Sequence, residues 1–135
     1  MPYSKRELTD SEKEAFLTEN RNGVLAFTGD EPYVIPLAYK YIKGTLVLGM
    51  QRSGRKMEYI KKNPRVCFNV WQMGEQSNIP SLKEQYYSSV ILEGELEEIP
   101  ESDRSYYELQ APPTGNSVSF RLKQSAIGTR TASIQ

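Results

Sequence analysis

Residues 45–71, TLVLGMQRSGRKMEYIKKNPRVCFNVW, set the arrangement of the rest of this chain. They predict a strand, a short glycine-containing loop, the basic start of a helix, a proline stop and a second strand. A helix N-terminus carries free backbone N–H groups and the positive end of a dipole. The loop that ends at Gly54, Arg55 and Lys56 therefore offers an anion several donors at once, and we predict an anion site at this corner.

The composition favours one folded domain over residues 1–135. The chain has 135 residues, of which 38% are hydrophobic and 25% are charged, a size that suits a single core. Lysine and arginine together number 17 and balance 17 acidic residues. A nucleic-acid partner is not expected, because phosphate-backbone binding requires a surplus of cations on one face.

The use of histidine and cysteine excludes several kinds of site. The chain has no histidine and one cysteine, Cys67, which excludes a Ser-His-Asp triad, an imidazole zinc site and an intrachain disulfide. Cys67 is predicted to be an inert residue of a strand. No apolar run has the length of a membrane span, and the N-terminal residues are charged where a signal peptide is apolar. We therefore expect a cytoplasmic protein without a membrane partner.

Around the central stretch, the pattern of apolar residues predicts six strands and a few short helices. The strands cover residues 23–27, 32–42, 45–49, 66–71, 86–98 and 118–122, and helices outside the central stretch cover residues 10–19 and 101–109. Hairpin-length links join most of the strands, which favours an antiparallel barrel over a doubly wound sheet. The fold class is therefore mainly β with short α-helices.

Some segments carry more specific signals. A capping-box pattern beginning at Ser11 predicts the first helix. Pro36 predicts an edge or a bulge where backbone groups stay unpaired, and Gly94 is a candidate bulge in the longest predicted strand. Residues 72–85 are predicted to be a loop that becomes ordered only in an assembly, and the polar tail at residues 123–135 is expected to fray or to cross onto a partner.

The glycine-containing loop is one insertion away from a P-loop. Residues 49–56 read GMQRSGRK, whereas a P-loop has its lysine directly after the second glycine, followed by serine or threonine. Arg55 intervenes here and Met57 follows Lys56, so a P-loop nucleoside triphosphatase is not expected. The remaining alternative is that Arg52, Arg55 and Lys56 form only a solvated surface.

Five motifs follow one another between Pro36 and Glu98: PLAYKY, LVLGM, GRK, NPRVCFNV and YSSVILEGELEE. In order and spacing they resemble the flavin-binding split-barrel family of pyridoxamine 5'-phosphate oxidase, especially its small nitroimidazole-resistance relatives. The likeness covers about residues 10–98 and fits the last strand more loosely. It implies a six-stranded antiparallel split β-barrel of the FMN-binding type.

The resemblance assigns ten residues to the binding of FMN. They are Leu37, Ala38, Tyr39, Gly49, Met50, Gly54, Arg55, Lys56, Ser88 and Ser89. Arg55 and Lys56 would hold the phosphate, in agreement with the anion site inferred from the helix start. The residues of the first two motifs would line the ring and the ribityl chain. The two serines would form hydrogen bonds with the polar edge of the ring. Trp71 is either a stacking wall for the flavin or a core residue.

The resemblance also implies a homodimer with the flavin between the subunits, and a small-molecule substrate. FMN itself carries out the transfer of hydride or electrons, so the chain needs no histidine to be an enzyme. The expected function is an FMN-dependent oxidoreductase that acts between a reduced nicotinamide or similar donor and a nitro or quinone acceptor. The alternatives are a non-catalytic flavin carrier or redox sensor, and a barrel that binds deazaflavin or haem.

Two departures from the family pattern concern the reaction. Small relatives often carry a histidine where this chain has Gly49. The basic residues that would bind a substrate phosphate near the C-terminus are not evident either, with Arg121 and Arg130 as the only candidates. The resemblance therefore implies FMN binding more strongly than any particular reaction.

Overall fold

The computed structural model describes residues 3–110, 112–113 and 115–134. In chain order the elements are β1 (Tyr3–Arg6), α1 (Asp10–Glu19), β2 (Asn22–Phe27), β3 (Tyr33–Ile42), β4 (Thr45–Gln51), α2 (Arg55–Lys62), β5 (Arg65–Met73), a 3₁₀-helix (Gly74–Gln76), α3 (Pro80–Lys83), β6 (Tyr87–Glu98), a second 3₁₀-helix (Glu101–Asp103) and β7 (Ser117–Ile134). In this described part of the chain, no helix is both long enough and apolar enough to span a membrane.

Six of the strands close into an antiparallel barrel. The strands β7, β4, β3, β2, β5 and β6 pair in that order, and β6 also pairs with β7 to complete the ring. The short strand β1 lies along the end of β7, with Tyr3 opposite Ile134. The predicted six-stranded antiparallel barrel is confirmed. β1 was not predicted, because its sequence YSKR shows no apolar alternation.

The seam between β6 and β7 corrects the prediction for the C-terminal tail. β7 continues to Ile134, so it is the longest strand, and the expected fraying after Leu122 is wrong. The ladder with β6 runs from the Glu98–Phe120 pair to the Tyr87–Ala132 pair. These backbone hydrogen bonds hold the tail in a strand although its side chains are mostly polar. A register shift between Glu93 and Gly94 confirms an irregularity at the predicted place, but the extra residue is Ser125 on β7, and Gly94 lies opposite this bulge.

Two predicted segments have a different conformation in the structure. Residues 72–85 are ordered within the single chain, because Leu82 is fully buried and the Glu19 carboxylate accepts hydrogen bonds from Ser77 Oγ (2.8 Å) and the N–H of Asn78 (2.6 Å). The helix predicted at residues 101–109 is only a 3₁₀-helix followed by turns. Its backbone closes through short-range bonds such as that from the N–H of Leu109 to the carbonyl of Arg104 (2.9 Å).

The barrel interior is filled from alternate strand positions and by α1. Phe16 and Leu17 of α1 are fully buried, as is Phe68 of β5. The helix covers the predicted residues, but its capping box begins at Thr9 rather than at Ser11. Thr9 Oγ1 accepts a hydrogen bond from the N–H of Glu12 (3.1 Å), and the Glu12 carboxylate accepts one from the N–H of Thr9 (2.9 Å).

The ring of strands is complete, but β3 and β4 separate along part of their length. We call this gap between β3 and β4 the open side of the barrel. The ladder between these strands runs only from the Ile42–Thr45 pair to the Tyr39–Leu48 pair. Beyond it, residues 33–38 pair with β2 alone and residues 49–51 pair with β7 alone. Pro36 lies in the half of β3 that pairs with β2 but not with β4, which confirms that this proline marks an edge. The open side is where α2 begins, with three residues between the end of β4 and the start of the helix.

Candidate functional site

The open side brings together four of the predicted site residues. Leu37 and Ala38 on β3, and Gly49 and Met50 on β4, come directly after the last paired residues of the two strands. Ala38 and Gly49 point outward, are exposed and line one cavity of about 290 Å³. Leu37 and Met50 point inward and pack in the core. These two inward residues can therefore meet a ligand in the open side only through their backbone groups.

Tyr39 has a structural role in addition to its place at the open side. Its side chain is buried, and its hydroxyl donates a hydrogen bond to the carbonyl of Leu17 (2.8 Å). Burial raises the pKa of the Tyr39 hydroxyl well above its ordinary value, so this group stays protonated. The hydroxyl therefore points into the barrel interior, and Tyr39 also lines the same cavity as Ala38 and Gly49.

The start of α2 has the geometry of an anion site. Gly54 precedes the helix with φ of +106°, a conformation that favours glycine. No side chain caps this helix start, and the first intrahelical bond is donated by the N–H of Glu58 to the carbonyl of Gly54 (3.3 Å). The N–H groups of the first helical residues therefore lack intrahelical acceptors and carry the positive end of the helix dipole.

Arg55 is held beside this helix start by two aromatic rings. Its guanidinium carbon lies 4.1 Å from the centroid of the Tyr33 ring and 5.5 Å from that of Tyr59, and its Nη2 donates a hydrogen bond to Tyr59 Oη (3.4 Å). The two rings are themselves 4.9 Å apart. Because Arg55 is exposed and its cation is held by rings rather than by a carboxylate, most of its N–H donors stay available to an anion.

The neighbouring cations differ in how far they are engaged. Lys56 is half-exposed, and no acidic partner for it occurs among the described residues. Arg52 instead forms an ion pair with Glu98 (3.2 Å). Ser53 Oγ accepts a hydrogen bond from Asn116 Nδ2 (3.1 Å). Gly54, Arg55 and Lys56 therefore stay available to an anion at this corner. Arg52 is already neutralised by Glu98.

The two predicted serines lie on a different part of the barrel. β6 is separated from β3 by β2 and β5, and from β4 by β7. Ser88 is buried and donates a hydrogen bond to Thr131 Oγ1 (2.9 Å), so it faces the interior. Ser89 faces outward and its Oγ accepts a hydrogen bond from Asn69 Nδ2 (3.0 Å). Within one chain, the cavity that Ser89 lines contains neither Gly49 nor Arg55.

Ser89 belongs to a second surface cavity of about 350 Å³. Its walls include Trp71 and Tyr87, whose rings stack with centroids 6.1 Å apart, and its rim includes Arg130. Trp71 is 53% exposed, so its interpretation as a core residue is wrong. A role as a stacking wall stays a prediction.

Tyr33 and Tyr59 contact Arg55, and sequence analysis did not identify them as residues of the candidate site. The spacing of Arg55 and Tyr59, four residues apart on one helix, was a signal for their contact. Tyr33 could not be found in this way, because its approach to Arg55 depends on how α2 packs against β3. Cys67 is half-buried, and burial raises the pKa of its thiol, which opposes a nucleophilic role. No group of residues suited to hold a metal ion occurs among the described residues.

Comparisons with known proteins identify solved structures that share this fold. The chain is similar to a flavin (FAD) binding protein from Mesorhizobium loti, with 30% identity, 96% of this chain and 99% of that chain covered, and a TM-score of 0.69. A 5-nitroimidazole antibiotic resistance protein from Bacteroides thetaiotaomicron shares the fold at 15% identity, with 100% and 93% of the chains covered and a TM-score of 0.72. An FAD and haem binding protein from Mycobacterium smegmatis shares it at 14% identity, with 97% and 74% covered and a TM-score of 0.71.

A search of curated protein sequences gives no match. The family model for pyridoxamine 5'-phosphate oxidase, in contrast, matches residues 9–128. That range contains the whole open side, the start of α2 and both serines. The chain therefore belongs to the pyridoxamine 5'-phosphate oxidase family.

Proposed function

We propose that this chain binds FMN and acts as an FMN-dependent oxidoreductase. It would transfer hydride or electrons between a reduced nicotinamide or similar donor and a small acceptor of the nitro or quinone type. The observation that carries the proposal is the uncapped start of α2, with Gly54, Arg55 and Lys56, at the end of an open barrel side. A phosphate has the charge and the acceptor oxygens that this corner lacks.

The open side supports the placing of the rest of the cofactor. FMN joins a phosphate to a planar ring through a polar chain, and the unpaired edges of β3 and β4 lead away from the start of α2. The backbone of Leu37, Ala38, Gly49 and Met50 would then meet the ring and the ribityl chain. Unpaired N–H and C=O groups suit the polar edge of an isoalloxazine, which needs both donors and acceptors.

The phosphate corner does not by itself separate FMN from FAD. Both cofactors carry a phosphate on the ribityl chain, and the Mesorhizobium loti relative is an FAD-binding protein. We propose FMN because a single phosphate satisfies the three-residue corner. The cofactor that leaves natively purified protein on denaturation, identified by mass spectrometry, decides between the two.

When bound, the flavin would supply the redox chemistry, and the protein would bind and orient it. Arg55 and Lys56 would hold the phosphate end. Leu37 and Met50 pack against the main hydrophobic cluster, and this packing would fix the two strands that carry the ring site. The buried hydroxyl of Tyr39 donates its hydrogen bond to the carbonyl of Leu17 and would not exchange protons with a ligand.

We also propose a homodimer with the flavin at the subunit interface. The outer face of neighbouring strands β3, β2, β5 and β6 exposes apolar side chains, with Val34 at 62% and Trp71 at 53% exposure. Exposed apolar patches of this kind mark interaction surfaces. A second copy of the chain would also explain why Ser89 and Trp71 lie away from the open side, because they would reach the flavin of the partner subunit.

A flavin-binding protein without turnover is the second candidate. It is favoured by the chemistry of the open side, where Tyr39 is the only described titratable residue among the predicted ring contacts and is committed to Leu17. A carrier or redox sensor would use every binding residue named above. The two candidates therefore differ in turnover alone.

The test is to purify the protein natively and to follow its flavin spectrum. We expect a yellow protein whose bound flavin is bleached by NADH or NADPH and recovers its colour when a nitro compound or a quinone is added. A protein that takes up FMN but shows no bleaching by either nicotinamide supports the carrier. A colourless protein that does not take up added FMN or FAD contradicts the proposal.

A further inference from the structure

Seven of the nine glycines in this chain are explained by the fold itself. Four of them would place a Cβ within 3.0 Å of a neighbouring atom: Gly23, Gly29, Gly74 and Gly94. Three others have a positive φ: Gly44, Gly54 and Gly115. Only Gly49 and Gly128 have neither constraint, and an added Cβ at either position meets nothing within 4 Å.

Gly49 lies inside a strand, where glycine is unfavourable. It has no side chain to pack and loses more conformational freedom on folding than other residues. A larger residue would fit at Gly49 and would favour the strand, so the fold does not account for glycine there. A glycine inside a strand often marks a place where another group approaches the backbone closely.

The space above Gly49 is the cavity of about 290 Å³ on the outer face of the barrel. Val47 and Leu109 form apolar walls, and Ser119, directly opposite Gly49 on β7, forms part of the floor. Lys40 lines the same cavity and has no acidic partner among the described residues. The volume is near the lower end of the range for small-ligand pockets, about 300–1,000 Å³.

The cavity extends from Gly49 away from α2. Val47 precedes Gly49 by two residues, whereas Gly54 follows it by five, so the two lie in opposite directions along the chain. A flavin whose phosphate lies at the start of α2 would approach Gly49 from the α2 side. The space over Val47 and Leu109 would then remain for a second molecule beside the ring.

We propose that Gly49 is a specificity-determining residue whose missing side chain keeps this cavity open for the second substrate. The occupant is a flat, mostly apolar molecule with one acidic group, which faces Lys40. The inference rests on the proposed function for its biological meaning, but the binding itself can be measured on the chain without flavin. The apolar walls of Val47 and Leu109 favour a flat apolar molecule, and Lys40 favours an acidic group on it.

The probes for the test are 4-nitrobenzoate and nitrobenzene, which differ by one carboxylate. Each is titrated into the isotope-labelled protein, first without flavin and then with saturating FMN, while backbone amide signals are followed by NMR. We expect 4-nitrobenzoate to shift the signals of Gly49 and Ser119 and to bind about tenfold more tightly than nitrobenzene. Lys40→Met should remove that preference, because a carboxylate gains from a nearby cation.

Gly49→Leu should weaken the binding of 4-nitrobenzoate by about tenfold or more, and Gly49→Ala should weaken it less. Glu95→Leu, which adds the same side chain to an exposed strand position outside the cavity, is the matched control and should change it less than about twofold. The inference is overturned if neither probe shifts Gly49 and Ser119 in either state, or if Gly49→Leu binds 4-nitrobenzoate as the wild type does. Failure of FMN to bind would count against the proposed function alone, because the flavin-free titration stands apart from it.

Discussion

The two sides of the barrel differ in how completely their strands are paired. At the closed side, β6 and β7 stay paired from the Tyr87–Ala132 pair to the Glu98–Phe120 pair. At the open side, β3 and β4 separate after the Tyr39–Leu48 pair. β6 and β7 pair with each other throughout this ladder, whereas residues 33–38 and 49–51 do not pair with each other across the open side. We therefore expect the fold and the proposed binding to depend on different strand pairs.

The chemistry of the two sides follows the same division. The closed side and its end are held by ion pairs within the chain, such as Arg121 with Glu97 and Asp103, and Arg6 with Glu12. At the open side, Arg55 contacts aromatic rings and Lys56 has no acidic partner among the described residues. Substitutions at the closed side should therefore change stability, and substitutions at the open side should change ligand affinity.

The largest effect is expected at the bulge of the closed side. Gly94→Val should destabilise the protein by about 3 kcal/mol, because a Cβ at this position would lie 2.2 Å from the carbonyl oxygen of Lys123. Urea unfolding at neutral pH measures the change. Gly128→Val on β7 is the control, since a Cβ there meets nothing within 4 Å. Equal losses in the two variants would show that the seam tolerates side chains at its bulge.

Glu12 should give the next largest effect, and one that depends on pH. Its carboxylate accepts hydrogen bonds from Arg6 Nη1 (2.7 Å), from Ser81 Oγ (2.6 Å) and from the N–H of Thr9, and so joins β1, α1 and α3. The hydrogen bond from Arg6 is the main cause that lowers the pKa of Glu12 from 4.5 to about 2. We expect Glu12→Gln to cost about 2 kcal/mol of unfolding free energy at pH 7.

The sign of the pH dependence follows from the lowered pKa. The unfolded chain protonates Glu12 near pH 4.5, whereas the folded chain keeps it ionised down to about pH 2. The stabilisation is therefore complete above about pH 4.5 and is lost as the pH falls towards 2. The gap between wild type and Glu12→Gln in urea unfolding should shrink over that range. A gap of the same size near pH 2 and at pH 7 would contradict the lowered pKa of Glu12.

Tyr33 tests the aromatic support of Arg55 at the open side. Tyr33→Leu removes the ring under the guanidinium and should weaken FMN binding about two- to fivefold, whereas Tyr33→Phe keeps the ring and should bind almost as the wild type does. Riboflavin, which lacks the phosphate, is the second ligand in the titration. If Tyr33→Leu weakens riboflavin as much as FMN, the tyrosine supports the ring site or the fold rather than Arg55.

The smallest effect is expected at Arg52. Its ion pair with Glu98 is exposed, so Arg52→Ala should change the free energy of unfolding by less than about 1 kcal/mol. FMN affinity should change less than about twofold, because Arg52 is engaged outside the corner formed by residues 54–56. Isothermal titration with FMN checks this. A loss as large as that of Arg55→Ala would extend the anion site to Arg52.

Much of the barrel could be predicted because local physics and tertiary structure agree. Pro36 marked the part of β3 that β4 does not pair, because proline is confined to strand edges and bulges. Gly94 and the helix start after Gly54 were likewise visible as residues whose backbone chemistry is special. Each of these signals comes from one residue and its near neighbours in the chain. They therefore do not depend on how the strands assemble.

The parts that were missed depend on pairing between distant segments. β1 and the second half of β7 have polar sequences, and they form strands because distant segments supply their backbone partners: β6 pairs with β7 up to Ala132, and β1 pairs with its last four residues. Residues 72–85 become ordered through Glu19, which is distant in sequence. The assignment of Ser88 and Ser89 could not reveal on which side of the barrel β6 lies. Strand order is set by the closure of the ring, which no local pattern encodes.

The central claim is that the start of α2 binds the phosphate of a flavin. Its most direct test is the ratio of the riboflavin and FMN dissociation constants, measured by flavin fluorescence for the wild type and for Arg55→Ala/Lys56→Ala. Lys61→Ala/Lys62→Ala removes the same charge from the other end of α2 and serves as the matched control. We predict that the wild type and the control prefer FMN by about 100-fold or more, and that the Arg55/Lys56 variant loses this preference. Equal binding of FMN and riboflavin by the wild type, or a preference that survives in the Arg55/Lys56 variant, would contradict the account.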